Sequence, residues 1–159
     1  NFMKTNTKLK KSRIYKVLQE QLRNKAMLKG VNLIAPETIF LSTDTYFGKN
    51  ITIEPYVVIG AKVKIGNNVI LWSGNHVGHH STIDDNCFIS SHVVISGHVC
   101  VESFCFLGVN STIRDGVIIK KNCIVGANSL ILKDTLPNSV YTSDSGKLMK
   151  YLPDDITQI

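Results

Sequence analysis

A six-residue period runs through the middle of this 159-residue chain without interruption. Counting in sixes from Leu41 to Ile131 meets an aliphatic residue or phenylalanine at sixteen positions in a row. The residue four places later is usually small or β-branched, as at Val57, Cys87 and Ser111. Six residues hold a short strand and a turn, so three such segments close one coil of 18 residues. The period therefore predicts an all-β solenoid of parallel strands whose coils stack about 4.8 Å apart.

The 18-residue coil also makes the cysteine spacing meaningful. Cys87, Cys105 and Cys123 are each 18 apart, so we expect them to form one interior column of small core residues rather than a metal or redox site. Cys100 falls on an outward position and is the candidate for thiol reactivity. Because the chain shows no export signal, we expect all four cysteines to be reduced.

Glycine often follows the large residue of the repeat, which suggests corners that need a positive φ. The glycines in this position include Gly48, Gly60, Gly66, Gly78, Gly108 and Gly126.

The repeat divides the chain into three parts. Residues 1–30 form a basic segment with an amphipathic helix over 8–29, whose apolar face carries Ile14, Val17, Leu18 and Leu22 and which ends at Gly30. Residues 31–134 form the solenoid domain, and residues 135–159 form a tail.

Charge is concentrated at the N-terminus. Residues 1–29 carry nine Lys or Arg and one acid, within a net charge of +6 for the whole chain. This basic arm has no nucleic-acid-binding motif and almost no interleaved aromatic residues, so we expect no nucleic-acid partner. No apolar run approaches the roughly 20 residues of a membrane span, and no apolar signal core follows the lysines. We therefore expect a cytoplasmic protein with no membrane span.

A second column, at an outward position, is apolar: Ile70, Phe88, Phe106 and Ile124. Monomers rarely leave such a stripe exposed. Either the N-terminal helix covers it or it is buried between subunits.

The five histidines of the chain all lie between residues 76 and 98. His80 and His98 are 18 apart and should stack, and His79 should lie over Gly97 by the same count. Acyl transfer needs a base to take a proton from the attacking group, and imidazole suits that role near neutral pH. It also needs a donor for the oxyanion, which a backbone N–H can supply. Spacing alone leaves His79 open between a catalytic base and a solvated turn residue.

The residues around these histidines resemble a known family. Val-Gly-His-His-Ser-Thr-Ile at 77–83, with the stretches at 96–99 and 106–111, is similar to the sialic acid O-acetyltransferase family of hexapeptide-repeat acyltransferases. That family includes bacterial N-acetyltransferases acting on nucleotide-linked 4-amino sugars, and the resemblance runs from about residue 71 to 134. It implies a left-handed parallel β-helix, here of about five coils after an N-terminal α-helix, assembled as a homotrimer. It also implies acetyl-CoA as co-substrate, a sugar acceptor and no metal.

The same resemblance implies roles for individual residues. His79 stands where the family carries its general base, and the Gly97 amide stands where the family contacts the oxyanion and the thioester. The family usually has Asp or Glu directly after the base. Here that position is His80, with Asp84 or Glu102 as alternative acids. The implied coenzyme-binding residues are Gly97, Gly108, Val109, Gly126, Ala127 and Lys147, with Lys133 as a second candidate for the coenzyme phosphates.

Residues 24–31 and 35–38 are similar to the linker helix and first coil of the bifunctional glucosamine-1-phosphate acetyltransferase/uridylyltransferase family. This leaves a second function open, a non-catalytic scaffold or regulatory domain of a larger sugar nucleotidyltransferase. A third class on this fold, the zinc carbonic anhydrases, places two histidine ligands 36 apart. No pair among the five histidines has that spacing.

Overall fold

The computed structural model describes residues 2–146, with side chains from residue 7 onward. Within that range one helix, α1 (Phe2–Leu28), precedes 17 strands of two residues each, and a 3₁₀ turn lies at Pro36–Thr38. The strands are β1 (Asn32–Leu33), β2 (Tyr46–Phe47), β3 (Thr52–Ile53), β4 (Val58–Ile59), β5 (Lys64–Ile65), β6 (Ile70–Leu71), β7 (His76–Val77), β8 (Thr82–Ile83), β9 (Phe88–Ile89), β10 (Val94–Ile95), β11 (Cys100–Val101), β12 (Phe106–Leu107), β13 (Thr112–Ile113), β14 (Ile118–Ile119), β15 (Ile124–Val125), β16 (Leu130–Ile131) and β17 (Val140–Tyr141).

Three parallel sheets form the sides of the solenoid. Sheet 1 runs β1-β3-β6-β9-β12-β15-β17, sheet 2 runs β4-β7-β10-β13-β16, and sheet 3 runs β2-β5-β8-β11-β14. Partners in neighbouring coils are separated by the predicted length of one coil, as in the pairs Phe88 with Phe106 and His76 with Val94. The predicted solenoid is confirmed, with about six turns rather than five.

The register changes at both ends of the solenoid. Leu33 pairs with Ile53 across a longer coil, because the left-handed Ala35 and the 3₁₀ turn occupy the first coil. Ile124 pairs with Val140, so the last coil is shorter than those before it. The ladder of sheet 1 therefore extends to Tyr141.

The interior follows the period. Of the sixteen positions counted in sixes, all are buried except the half-buried Phe47. Cys87, Cys105 and Cys123 are free thiols, at most 2% exposed, in one column as predicted. Cys100 points outward and is partly buried. Burial and the charges of Asp84 and Glu102 raise the pKa of its thiol, which makes it a weaker nucleophile at neutral pH.

The expectation that the glycines of the repeat have positive φ is wrong. Positive φ occurs at the next-but-one residue instead, mostly asparagine or histidine, as at Asn50 and Asn68. Asparagine tolerates this region better than other residues with a Cβ. The glycines are required by close stacking: a Cβ on Gly78 would collide with the backbone carbonyl group of Ser96 in the next coil.

Helix α1 docks on the first coil through its C-terminal half. The side chain of Gln19, only 4% exposed, donates to the Leu41 carbonyl at 2.8 Å and accepts from the Leu41 N–H at 2.9 Å. The predicted apolar face is only partly buried, since Ile14 and Val17 are 58% and 55% exposed. Within residues 2–146 no helix is both long and apolar enough to cross a membrane.

The predicted apolar column lies on the outer surface of sheet 1. Phe88 and Phe106 stack with their ring centroids 5.5 Å apart, while Phe106 and Ile124 are 41% and 48% exposed. The helix therefore does not cover this stripe, which excludes one of the two explanations made from the sequence.

Candidate functional site

The turn after β7 carries His79, and the turn after β10 carries Gly97 one coil later. The His98 N–H donates to the His79 carbonyl at 2.8 Å, which fixes these two turns against each other. A Cβ built on Gly97 would lie 2.9 Å from Nε2 of His79 and 2.7 Å from its Cε1. The prediction that His79 lies over Gly97 is confirmed. Since Gly97 has no side chain, the imidazole reaches the space directly above the peptide.

Gly97 also offers an unused donor. Within residues 2–146 its N–H meets no hydrogen-bond acceptor, although its carbonyl accepts from the Gly116 N–H at 2.9 Å. An unpaired N–H on a buried residue is uncommon, because leaving it unpaired costs free energy. Here it lies next to the exposed His79 imidazole, where a substrate oxygen could accept from it.

Three imidazoles meet at this corner. The rings of His80 and His98 are stacked, with centroids 4.7 Å apart and an angle of 12° between their planes. His79 stands edge-on to both, at centroid distances of 5.2 Å from His80 and 5.1 Å from His98. Nδ1 of His79 lies 3.0 Å from Nδ1 of His80, which is hydrogen-bonding distance.

The charges around His80 favour its neutral form. Desolvation by its neighbours lowers the pKa of His80, and the positive charges of Lys62, His98 and His79 lower it further. Asp44 acts in the opposite direction but is the smallest of these contributions. These side chains are neighbours because the coils stack every 18 residues. The residues that this spacing brings together are Asp44, Lys62, His80 and His98.

The three histidines could be mistaken for a metal centre, since their ligand atoms all lie within 4.8 Å of one another. A metal ion must lie near the plane of each imidazole that binds it. The planes of His80 and His98 are nearly parallel, so their nitrogen lone pairs cannot converge on one tetrahedral ion. We therefore assign no metal to this cluster.

The alternative acids Asp84 and Glu102 lie at a different corner, after β8 and β11 of sheet 3. Glu102 forms an ion pair with Lys120 at 3.1 Å and accepts from the Lys121 N–H at 2.9 Å. Among the described residues neither acid has a recorded contact with His79. The only side chain at hydrogen-bonding distance from its Nδ1, in that range, is His80.

Asp115 belongs to this corner but was missed by the sequence reasoning. It follows β13, one coil beyond Gly97, and its Oδ1 lies 2.7 Å from the same point where a Gly97 Cβ would stand. Its exposed carboxylate makes no hydrogen bond or ion pair within residues 2–146. Counting one further coil from Gly97 along the sequence would have found it.

The implied coenzyme residues lie on another edge. Gly108 and Val109 follow β12, and Gly126 and Ala127 follow β15, so all four lie at the corner after sheet 1. In the described part of the chain, the Val109 and Ala127 N–H groups meet no acceptor. His79 and Gly97 lie at the corner after sheet 2, so a single copy does not bring the two groups together. Lys147 lies outside the described residues, and Lys133 is exposed.

Comparison with known proteins agrees with this fold. The family model described as the GMPPB C-terminal domain matches residues 31–140. The bifunctional protein GlmU of Bradyrhizobium diazoefficiens is 50% identical over 72 residues, which is 45% of this chain and 16% of GlmU. The chain thus spans about a sixth of the curated relatives that it matches.

Two solved structures share the solenoid. GDP-perosamine N-acetyltransferase from Caulobacter crescentus, solved as a histidine-to-alanine mutant with CoA and GDP-perosamine, has a TM-score of 0.67 at 25% identity, covering 81% of this chain and 62% of that one. The UDP-N-acetylglucosamine O-acyltransferase of Moraxella catarrhalis has a TM-score of 0.60 at 21% identity, covering 74% and 49%.

These matches confirm the predicted left-handed parallel β-helix and the resemblance to hexapeptide-repeat acyltransferases. The family model covers well over half of the chain. This hexapeptide-repeat protein therefore belongs to the family described as the GMPPB C-terminal domain.

Proposed function

We propose that this protein transfers an acetyl group from acetyl-CoA to an amino or hydroxyl group of a nucleotide-linked sugar in the cytoplasm. The proposal is carried by one observation: Nε2 of His79 lies 2.9 Å from the place where a Gly97 Cβ would stand, on a peptide whose N–H has no acceptor among residues 2–146. A base and an oxyanion donor are the two groups that acyl transfer from a thioester requires. The solved Caulobacter relative, bound to CoA and GDP-perosamine, supports the substrate class.

The reaction follows from these positions. The acceptor attacks the thioester carbonyl carbon while His79 Nε2 takes its proton, and the Gly97 N–H donates to the oxyanion that forms. The carbon–sulfur bond then breaks, and the thiol of CoA leaves with the proton from His79. Because backbone donors are already oriented, they stabilise the developing charge without reorganising.

Asp115 favours an amino group over a hydroxyl as the acceptor. Its Oδ1 and Nε2 of His79 border the same empty point above Gly97. The nitrogen of an attacking amine gains positive charge as its bond to carbon forms and until the proton has passed to His79, and a nearby carboxylate stabilises that charge. A hydroxyl develops less positive charge and would gain less from it.

We also propose that the site is completed by a second copy in a homotrimer. Among residues 2–146 the Val109 and Ala127 N–H groups have no acceptor and can therefore bind the coenzyme arm, but they lie at a different corner from His79. The stripe containing Phe106 and Ile124 is exposed in the single chain, and burial between subunits would remove it from water. Neighbouring copies could then bring the two corners together.

The test measures release of free CoA thiol with a panel of amino-sugar and hydroxy-sugar nucleotides. We expect turnover with an amino sugar, and His79→Ala should lower kcat by about a hundredfold or more, which is the usual contribution of a general base. His92→Asn is the matched control, because it removes another exposed histidine and leaves an asparagine at a positive φ that asparagine adopts elsewhere in the chain.

Unchanged turnover in His79→Ala would contradict the mechanism. Calorimetry with CoA separates the proposal from the alternative, in which the solenoid is a non-catalytic scaffold or regulatory domain of a larger sugar nucleotidyltransferase. A scaffold would bind no CoA and consume no thioester.

A further inference from the structure

The contact between the two adjacent histidines carries information about protonation. Nδ1 of His79 and Nδ1 of His80 are 3.0 Å apart. Two ring nitrogens form a hydrogen bond only when one carries a proton and the other a lone pair. The pair therefore has one donor and one acceptor. The direction of this hydrogen bond decides whether Nε2 of neutral His79 carries a proton or a free lone pair.

We propose that His80 is a positioning residue that acts as a neutral imidazole, accepting the Nδ1–H of His79 and holding His79 with a free lone pair on Nε2. This rests on the proposed function, in which Nε2 is the base beside Gly97. The opposite direction would put the proton of neutral His79 on Nε2 and leave no base at the Gly97 peptide. In the proposed direction, neutral His80 carries its own proton on Nε2.

The surroundings hold His80 in this role. Its ring is stacked on His98 at 4.7 Å, and the backbone N–H of His80 donates to the Ala61 carbonyl at 2.8 Å. The charged and titratable groups recorded around the ring are Lys62, His98, His79 and Asp44. Only Asp44 favours a protonated His80, and it is the weakest of the four. The lowered pKa of His80 keeps the acceptor lone pair available at neutral pH.

A neutral acceptor has a consequence that a carboxylate would not have. When His79 takes the substrate proton it becomes an imidazolium, and a carboxylate partner would stabilise that charge. His80 orients the ring without adding a negative charge. The acid limb of kcat/KM should therefore lie at lower pH than it would with a carboxylate in the place of His80.

Two substitutions separate orientation from charge. His80→Phe removes the acceptor, and Phe104 already occupies a positive φ of 64° in this chain, close to the 60° of His80. His80→Asp keeps an acceptor and adds the charge. His92→Asn again serves as the control.

The direct measurement is a two-bond ¹⁵N–¹H spectrum of the histidine rings, recorded without acetyl-CoA or sugar across pH 5 to 9. We expect neutral His79 as the Nδ1–H tautomer in the unsubstituted protein and in His92→Asn, and a mixture of tautomers in His80→Phe. In His80→Asp the acid limb of kcat/KM should move to higher pH, because the added carboxylate stabilises the imidazolium that forms during turnover. His80→Phe should lower kcat about tenfold or more, with little change in KM for acetyl-CoA.

The proposal is overturned if neutral His79 carries its proton on Nε2, or if His80→Phe leaves the tautomer unchanged. Because the spectrum needs no turnover, its outcome is independent of the proposed function. Absent turnover with an Nδ1–H tautomer would overturn the acetyltransferase activity and retain the histidine pair.

Discussion

At Gly97, a single added methyl group would stand between the two side chains that border the proposed reaction centre. A Cβ there would lie 2.9 Å from Nε2 of His79 and 2.7 Å from Oδ1 of Asp115. Both atoms end exposed side chains that can move, so we expect Gly97→Ala to fold. The displaced imidazole should lower kcat/KM by about a hundredfold, since a misplacement of about 1 Å can have that effect. Steady-state thiol release measures the loss.

The matched control is Gly146→Ala, because a Cβ on Gly146 would meet nothing within 4 Å. Thermal unfolding should give nearly the same melting temperature for both variants and for the unsubstituted protein. Full activity in Gly97→Ala would show that the space above this peptide plays no part in turnover.

Residue positions were predictable from the sequence wherever the backbone register determines them. The column of cysteines and the approach of His79 to Gly97 both follow from counting one coil along the sequence, because parallel coils repeat in that step. The contact between His79 and His80 does not follow, since it depends on two side-chain rotamers. The reason for the repeat glycines was also missed, because close stacking and positive φ favour the same residue type.

Among the elements, α1 is held to the solenoid by a buried amide. Gln19 pairs with both the N–H and the carbonyl of Leu41. Gln19→Ala would leave both backbone groups buried without these partners, which should lower the free energy of unfolding by about 2 kcal/mol. Urea unfolding, with amide exchange in the helix, measures the effect.

Gln21→Ala is the control for this prediction, because Gln21 lies on the same helix and is exposed. It should change the free energy of unfolding by less than about 0.5 kcal/mol. Equal effects of the two substitutions would mean that the Gln19 amide does not hold the helix.

The sequence predicted the helix and part of its docked face. Of the apolar residues selected by periodicity, Leu22 packs against the core, whereas Ile14 and Val17 remain largely exposed. The buried contact of the polar Gln19 was missed. The side-chain amide of a glutamine can hydrogen-bond to both the N–H and the carbonyl of one backbone residue, as a neighbouring strand would. Hydrophobic periodicity does not detect such a contact. The changed strand registers of the first and last coils were also missed. Residues inserted into or deleted from a turn leave the apolar pattern of the strands intact.

In the whole molecule, the proposed catalytic residues and the proposed coenzyme-binding residues lie on two different edges of the solenoid. We therefore predict that a complete site needs two copies of the chain. His79 and Gly97 follow sheet 2, while Val109 and Ala127 follow sheet 1. If the coenzyme binds between copies, each site uses one edge from each of two neighbours. His79→Ala damages one edge. Ala127→Trp, at an exposed position, blocks the other with a bulky ring.

Each variant alone should be inactive, because every site in its homotrimer contains one damaged edge. Co-expressed at equal levels with different tags, the two variants should assemble at random into homotrimers and mixed trimers. Each mixed cyclic trimer then has roughly one site in three with two intact edges, which is about one quarter of all sites. Native mass spectrometry establishes the trimer and its mixture, and thiol release measures the recovered activity. If mixed trimers form but recover no activity, the shared site is contradicted and both edges belong to a site within one copy. If the mass is that of a monomer, the homotrimer on which the shared site depends is contradicted.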